Sequence, residues 1–377
     1  MARTIAEVEA IREFWSKWNT HRDSDIDICI EFVWRSKDFI RPHVILIYRN
    51  GALDAMLVGR LRQAHLDLKI GYLRLSSVPL RLLSFSYGGF LGRQTEQNAE
   101  ALVRSVMDAL RRGEGEAAYF QSRADSPLFE KGLALPGIAS RDHSVSRYDY
   151  RVMQISGTVE QVYAGLSAGL RAELRRKKKK LLKDFGDGVE IQCVQKAEDL
   201  DVFVPRAEEV ARKTYQRGLG VGFEDTEPMR RNLRVCAEHG WLRAYLLMIN
   251  GKARAFWIGT CYEGAFYSDY LGFDPQISSY SPGTVLFTEM IEDFCRSGVK
   301  EVHFGAGDGR YKDRFGQLNL AVVWFYIFAP TWKAWLLNSV RTTILLVDSG
   351  AKEALQRIGA LSTVKKAWRL KLRDSQE

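Results

Sequence analysis

Apolar positions recur at helical spacing in two places. Val285, Leu286, Met290, Ile291 and Phe294 fall three and four apart and predict a helix over 284–296; a similar pattern predicts one over 99–112. Each ends at a glycine, Gly113 or Gly298, and a short apolar run follows, 117–120 or 301–304, of the length of a buried strand. Upstream of each helix the period changes to that of strands. Two apolar runs flank an Asn-Gly pair, which is a hairpin signal. Asn50, Gly51, Ala55 and Gly59 recur as Asn250, Gly251, Ala255 and Gly259 at one constant offset. A small-residue turn precedes each helix, Tyr87-Gly88-Gly89 in the first copy and Ser281-Pro282-Gly283 in the second. This shared order reads as an internal duplication: an α+β domain over 1–150, a second over 151–329, and a helical tail over 330–377.

The length of 377 residues allows two ordinary cores, and 46% hydrophobic with 27% charged residues excludes a mostly disordered chain. The net charge of +9 favours anionic partners. Five scattered cysteines and six histidines form no CxxC, HxxxH or HxH pair, so neither a disulfide framework nor a metal site is expected. No apolar leader segment and no run long enough to span a bilayer is evident, which points to the cytoplasm.

The chemistry concentrates in the second copy. Serine and proline suit a helix start, and glycine admits close approach of a ligand to the backbone. Ser281, Pro282, Gly283 and Thr284 therefore make a turn where free N–H groups and a helix dipole can hold a pyrophosphate. The strand at 301–304 then opens into a bend with Gly305, Gly307 and Gly309, crowded with His303, Asp308, Tyr311, Lys312 and Arg314. So many ionisable groups are too costly for a core and too concentrated for an ordinary loop.

The run of Ser-Pro-Gly-Thr, helix, glycine, strand, then Phe304-Gly-x-Gly-Asp-x-x-Tyr-Lys-x-x-Phe315 resembles the GNAT-superfamily acyltransferases of the CelD type, relatives of the FemAB peptidoglycan aminoacyl transferases. The basic segment at 170–178 resembles a stretch that precedes the catalytic domain in that family. His303 stands where the family often has an acidic residue. The resemblance implies two tandem GNAT-like domains, mixed sheets flanked by helices, the first degenerate and the second catalytic. It implies acyl-CoA as co-substrate and a primary amine as acceptor, with no metal. Its pyrophosphate would lie on Ser281 to Thr284, with Lys312 and Arg314 holding phosphate or an anionic acceptor. His303 would serve as base with Asp308 assisting, Tyr311 would protonate the leaving thiolate, and Asp269 would orient the amine.

Arg171, Arg175, Arg176, Lys177, Lys178, Lys179, Lys180 and Lys183 crowd one predicted helix over 166–185. Adjacent like charges need an anion, which CoA phosphates, lipid head groups, an acidic glycan or tRNA would supply. RNA-type aromatic interleaving is absent, which weighs against nucleic acid. In the tail, Trp332, Trp335, Leu336, Val340, Ile344 and Val347 form an apolar stripe, read as packing on the domain surface. The basic stretch 364–373 with Trp368 suits a membrane interface. The expected activity is N-acyl transfer from acyl-CoA to a cell-envelope amine, a sphingoid base or amino sugar, at the inner membrane face. The rivals are a FemAB-like transferase using charged tRNA and a non-catalytic anion- or membrane-binding module.

Overall fold

The computed structural model describes residues 1–71, 73–218, 222–306 and 309–357. The chain divides into two compact units. One comprises Met1–Tyr148 and the segment from Ala321 on; the other is Asp149–Leu320.

In the first unit, β1 (Phe39–Pro42) and β2 (Ile45–Arg49) both pair with the long β3 (Ala52–Ile70), which forms a hairpin with β4 (Leu73–Gly92). The helix Glu96–Arg111 carries the chain to β5 (Ala117–Arg123), which lies parallel to β4. In the second unit, β6 (Ser146–Gln154) pairs with β11 (Glu301–Ala306), and the sheet runs on through β10 (Ala265–Phe273), β9 (Lys252–Tyr262) and β8 (Leu242–Ile249) to β7 (Val189–Val194). Only β10 and β11 are parallel there, joined by the helix Pro282–Ser297. The last strand, β12 (Leu318–Phe328), pairs antiparallel with β5 in the first unit. The sequence grouped 318–329 with the second domain. The ladder to β5 and the stacking of Phe325 on Phe120, with centroids 4.7 Å apart, place it with the first core instead.

The duplication is visible residue by residue. Asn50 and Asn250 take φ of 52° and 50°, followed by Gly51 and Gly251 at 80° and 74°, so both hairpins close through the same left-handed turn. The register slips at Ile47/Tyr48 in one copy and at Leu247/Met248 in the other. Gly59 and Gly259 each lie under an aromatic ring, Phe85 and Phe266, where a Cβ would clash. Both crossover helices stop at a left-handed glycine, Gly113 and Gly298. One expected correspondence fails. Gly88 and Gly89 do not precede a helix; they sit inside β4, in the stretch between Phe85 and Phe90 where its register against β3 slips. The helix that follows is capped by the Thr95 hydroxyl.

The tail forms one helix, Trp332–Arg357, as far as it is described. The predicted basic stretch at 364–373 lies outside the described residues. No described helix is long and apolar enough to cross a membrane.

Candidate active site

The parallel ladder between β10 and β11 is short. It joins Ala265, Phe266 and Tyr267 to Glu301, Val302 and His303, and then the strands part. β10 continues to Phe273 against β9 alone, with a bulge at Asp269 between Ser268 and Tyr270. The fork therefore opens just after Tyr267 and His303. Below it, Phe266, Val302 and Phe304 pack on Leu286, Met290 and Phe294 of the Pro282–Ser297 helix in one apolar core, which fixes the sheet against the helix.

His303 is nearly enclosed at the fork. Its ring stacks on Tyr267 with centroids 4.6 Å apart. Nε2 lies 3.0 Å from the Glu301 carboxylate and Nδ1 lies 3.2 Å from the Tyr150 hydroxyl on β6. The Gln154 amide, with His303 beside it, holds the Glu301 carboxyl below the ordinary range against its partial burial. An ionised Glu301 takes the Nε2 proton, leaving Nδ1 as the acceptor for Tyr150. Glu301 and His303 alternate on one face of β11, so the spacing was readable; Tyr150, distant in sequence, was not.

At the other end of β10 lies the Ser281 turn. The helix starts at Pro282 as expected, but Ser281 does not cap it with its side chain. Its backbone is left-handed, with φ 54° and ψ 54°. Its carbonyl accepts from the N–H groups of Thr284 and Val285, at 2.9 and 3.1 Å. That leaves the Gly283 N–H without a backbone acceptor among the described residues, a smaller donor set than the sequence implied. A Cβ on Gly283 would meet only the Phe273 ring, at 3.8 Å, so the space over this turn is open. The entry loop is pinned by Asp274, a fully buried side chain that accepts from Arg254 at 2.7 Å, Lys213 at 3.1 Å and the Gln276 N–H at 3.0 Å. Burial raises its pKa, but these donors outweigh it and the carboxyl is held low.

The remaining predicted residues scatter. Asp269 is exposed on the bulge and accepts from the Thr260 hydroxyl at 3.1 Å. Tyr311 sits edge-on against Trp257 and Phe304, with centroids 5.6 and 5.7 Å away. Lys312 is buried, and its ammonium donates to the carbonyls of Gly305 and Ala306 at 3.1 and 2.9 Å, bracing the end of β11. Arg314 pairs with Glu173 on the basic helix at 2.6 Å. Neither cation is disposed toward the Ser281 turn by these contacts, because backbone carbonyls and a carboxylate satisfy them first. Asp308 lies outside the described residues.

The basic helix, Ala168–Phe185, is present and buries Leu170, Leu174 and Leu181. Arg171 closes the end of the preceding helix through the carbonyls of Ala164 and Leu166, Lys177 pairs with Glu173, and Lys178 with Glu289. Lys180 lies over the Tyr280 ring at 4.5 Å and reaches the Ser279 carbonyl, while Asp184 accepts from the Tyr280 hydroxyl at 2.9 Å. The helix is therefore fastened beside the loop that enters the Ser281 turn. Arg175, Arg176, Lys179 and Lys183 are exposed and form no ion pair among the described residues.

A mixed sheet whose parallel pair is bridged by a crossover helix and splays beyond the crossover is the architecture of acyl-CoA transferases of the GNAT type. Residues 168–313 match the family model described as an acetyltransferase (GNAT) domain, so the chain belongs with the GNAT acyltransferases through this domain. The solved structure titled "Crystal structure of FemX" aligns with TM-score 0.56 at 11% identity, over 86% of this chain and 97% of that one. The C-terminal domain of a putative lysylphosphatidylglycerol synthetase from Agrobacterium fabrum aligns with TM-score 0.51 at 12% identity, over 90% and 95%. A tandem GNAT protein from the clavulanic acid biosynthesis pathway aligns with TM-score 0.50 at 10% identity, over 87% and 95%. At these identities the likeness is one of fold, and the fold is the tandem, FemAB-like one. No curated protein matches the sequence significantly.

Proposed function

We propose that this enzyme transfers an acyl group from acyl-CoA to a primary amine of a cell-envelope precursor, a lipid such as a sphingoid base or an amino sugar, at the inner face of an anionic membrane. The observation that carries the reaction is the hydrogen-bonded set Glu301–His303–Tyr150 at the fork between β10 and β11. From Tyr267 to Phe273 the free edge of β10 spans roughly 20 Å at about 3.3 Å per residue. It leads from that set toward the Ser281 turn, a course suited to an extended phosphopantetheine arm.

The amine attacks only when neutral. Tyr150 takes its proton while His303 Nδ1 receives the tyrosine's, and ionised Glu301 steadies the resulting imidazolium. The C–N bond forms as the thioester carbonyl becomes an oxyanion, toward which a backbone N–H at the Asp269 bulge is disposed. The C–S bond then breaks, and Tyr311 is the candidate donor to the leaving thiolate. Gly283 N–H and the Ser281 and Thr284 hydroxyls are the donors for the pyrophosphate; Lys180, Lys179 and Lys183 take the supporting role expected of Lys312 and Arg314. The titles of the FemX and lysylphosphatidylglycerol synthetase structures support an envelope acceptor.

Incubation with a panel of acyl-CoAs and amines, followed by mass spectrometry, identifies the product. His303→Gln and Tyr150→Phe are expected to lower kcat by about 10²–10³ with unchanged CoA affinity by calorimetry. If both variants keep full turnover, the relay is not the base. A FemAB-like reaction with charged tRNA is the second reading, favoured by the unpaired cations of the basic helix; it gains if charged tRNA, but not CoA, protects the protein against heat.

A further inference from the structure

The helix Trp332–Arg357 is built inside out. A surface helix ordinarily turns its apolar stripe to the core and its polar side to water. Here the inward side carries Asn338, Arg341 and Asp348, at 1%, 6% and 8% exposure. Arg341 donates to the buried Asp142 carboxylate at 2.7 Å and to the Ser144 carbonyl at 3.0 Å, with its guanidinium 4.8 Å from the Tyr326 ring centroid. Asn338 donates to the Arg141 carbonyl at 2.7 Å, and Asp348 accepts the Gly71 N–H at 2.6 Å. These directional bonds fix the rotation of the helix about its axis. They hold outward the stripe that the sequence had led us to expect against the domain.

That stripe is Trp332, Trp335, Leu336, Val340, Leu346 and Val347, with Trp332 70% and Leu346 66% exposed. At 100° per residue these six fall within an arc of about 140°, opposite Asn338 and Arg341. The Gly71 contact brings the tip of the β3–β4 hairpin beside the helix, and that tip exposes Leu73 and Leu75. Contiguous apolar surface of this kind marks an interaction site. The charges decide between occupants. From Trp332 to Val347 there is no acidic residue, and the first one after it, Asp348, is turned inward. Lys333 flanks the first tryptophan. The chain beyond residue 357 adds Lys365, Lys366, Arg369, Lys371 and Arg373 against only Asp374 and Glu377. An apolar face with boundary tryptophans, cations on its flanks and no exposed carboxylate complements an anionic bilayer.

We infer that Trp332, Trp335, Leu336, Val340, Leu346 and Val347 form a ridge that lies in the plane of an anionic lipid surface and docks the enzyme on it. The inference deepens the membrane part of the proposed function and rests on it. The test uses the full chain and flotation with vesicles of phosphatidylcholine with or without phosphatidylglycerol. The wild type is expected to float with the phosphatidylglycerol vesicles, and the triple variant Trp332→Ser, Trp335→Ser, Leu346→Ser to bind them at least about tenfold more weakly. All three side chains point to water, so the melting temperature should not fall; Arg341→Ala, by contrast, should lower both melting temperature and binding. No flotation of the wild type, or equal flotation of a folded triple variant, overturns the inference. So does a wild-type dimer that the triple variant converts to monomer without any vesicle binding, which would make the face a contact between copies. Acyl transfer to a water-soluble amine is measured in parallel. Transfer without vesicle binding defeats the docking alone, and vesicle binding without transfer defeats the reaction alone.

Discussion

Ser281 holds a conformation that serine avoids. A left-handed residue other than glycine costs on the order of 1 kcal/mol, and here the strain stands at a helix start where the side chain makes no capping bond. Strain that the fold does not use is a sign of use by a ligand. Ser281→Gly is therefore expected to raise stability by about 1 kcal/mol in urea unfolding, and to weaken CoA binding about fivefold, the loss of about one hydrogen bond. A variant that gains stability with undiminished CoA affinity would remove the hydroxyl from the phosphate site. The sequence pointed to this turn because the Ser-Pro-Gly order is itself a backbone instruction. It misjudged Lys312 and Arg314 because a cation's partner is set by whichever carbonyl or carboxylate the fold brings near. Gly305 O and Glu173 are near only after folding.

At the scale of elements, the basic helix and the loop it touches make one platform. Lys178 and Lys180 fasten the helix, to Glu289 and over Tyr280, while Arg175, Arg176, Lys179 and Lys183 stay exposed. Changing unpaired surface charges should relieve repulsion at little cost. Lys179→Glu with Lys183→Glu is expected to leave the melting temperature level or slightly higher. It should weaken CoA binding roughly tenfold at low salt, with the difference shrinking as salt screens the charges. Equal affinity across the salt series would return these cations to the status of a solvated face. The helix and its buried leucines were legible because their spacing is local; its seat beside Tyr280 was not.

The same platform has an acid limit. Asp274 has a lowered carboxyl pKa in the folded protein, so its contribution is complete above the unfolded value of about 3.9 and is lost as pH falls through the folded value. Asp274→Asn leaves Arg254 and Lys213 facing a neutral amide, and is expected to cost about 3 kcal/mol at neutral pH. The cost should shrink toward nothing below about pH 3, because the wild-type carboxyl is then also neutral. Unfolding curves of the two proteins across that range measure it, and a pH-independent difference would mean packing rather than charge.

For the whole molecule, the duplication was readable because turns, glycines and helix stops are local signals that recur. The route of the last strand was not. β12 follows the second copy in the chain, and nothing in its apolar pattern says that it returns to β5. Conversely β6 follows β5 but, from Tyr150 on, pairs with β11. Each core therefore receives an antiparallel strand that chain order would have given to the other. The consequence is an asymmetry between fragments. Residues 149–320 contain every ladder of the second sheet, β6 with β11 included. Residues 1–148 lack β12, and with it Phe325, which is fully buried between Phe120 and Phe129 at 4.7 and 5.3 Å. A 149–320 fragment is expected to melt cooperatively and to bind CoA. A 1–148 fragment is expected to lack a cooperative transition until a peptide of β12 is supplied. In the full chain, Phe325→Ala should destabilise the first unit by about 3–5 kcal/mol while the CoA affinity of the second is kept. A 1–148 fragment that folds alone would show that β12 is an accessory to that core, and the energetic dependence of the first unit on the end of the chain would then have to be given up.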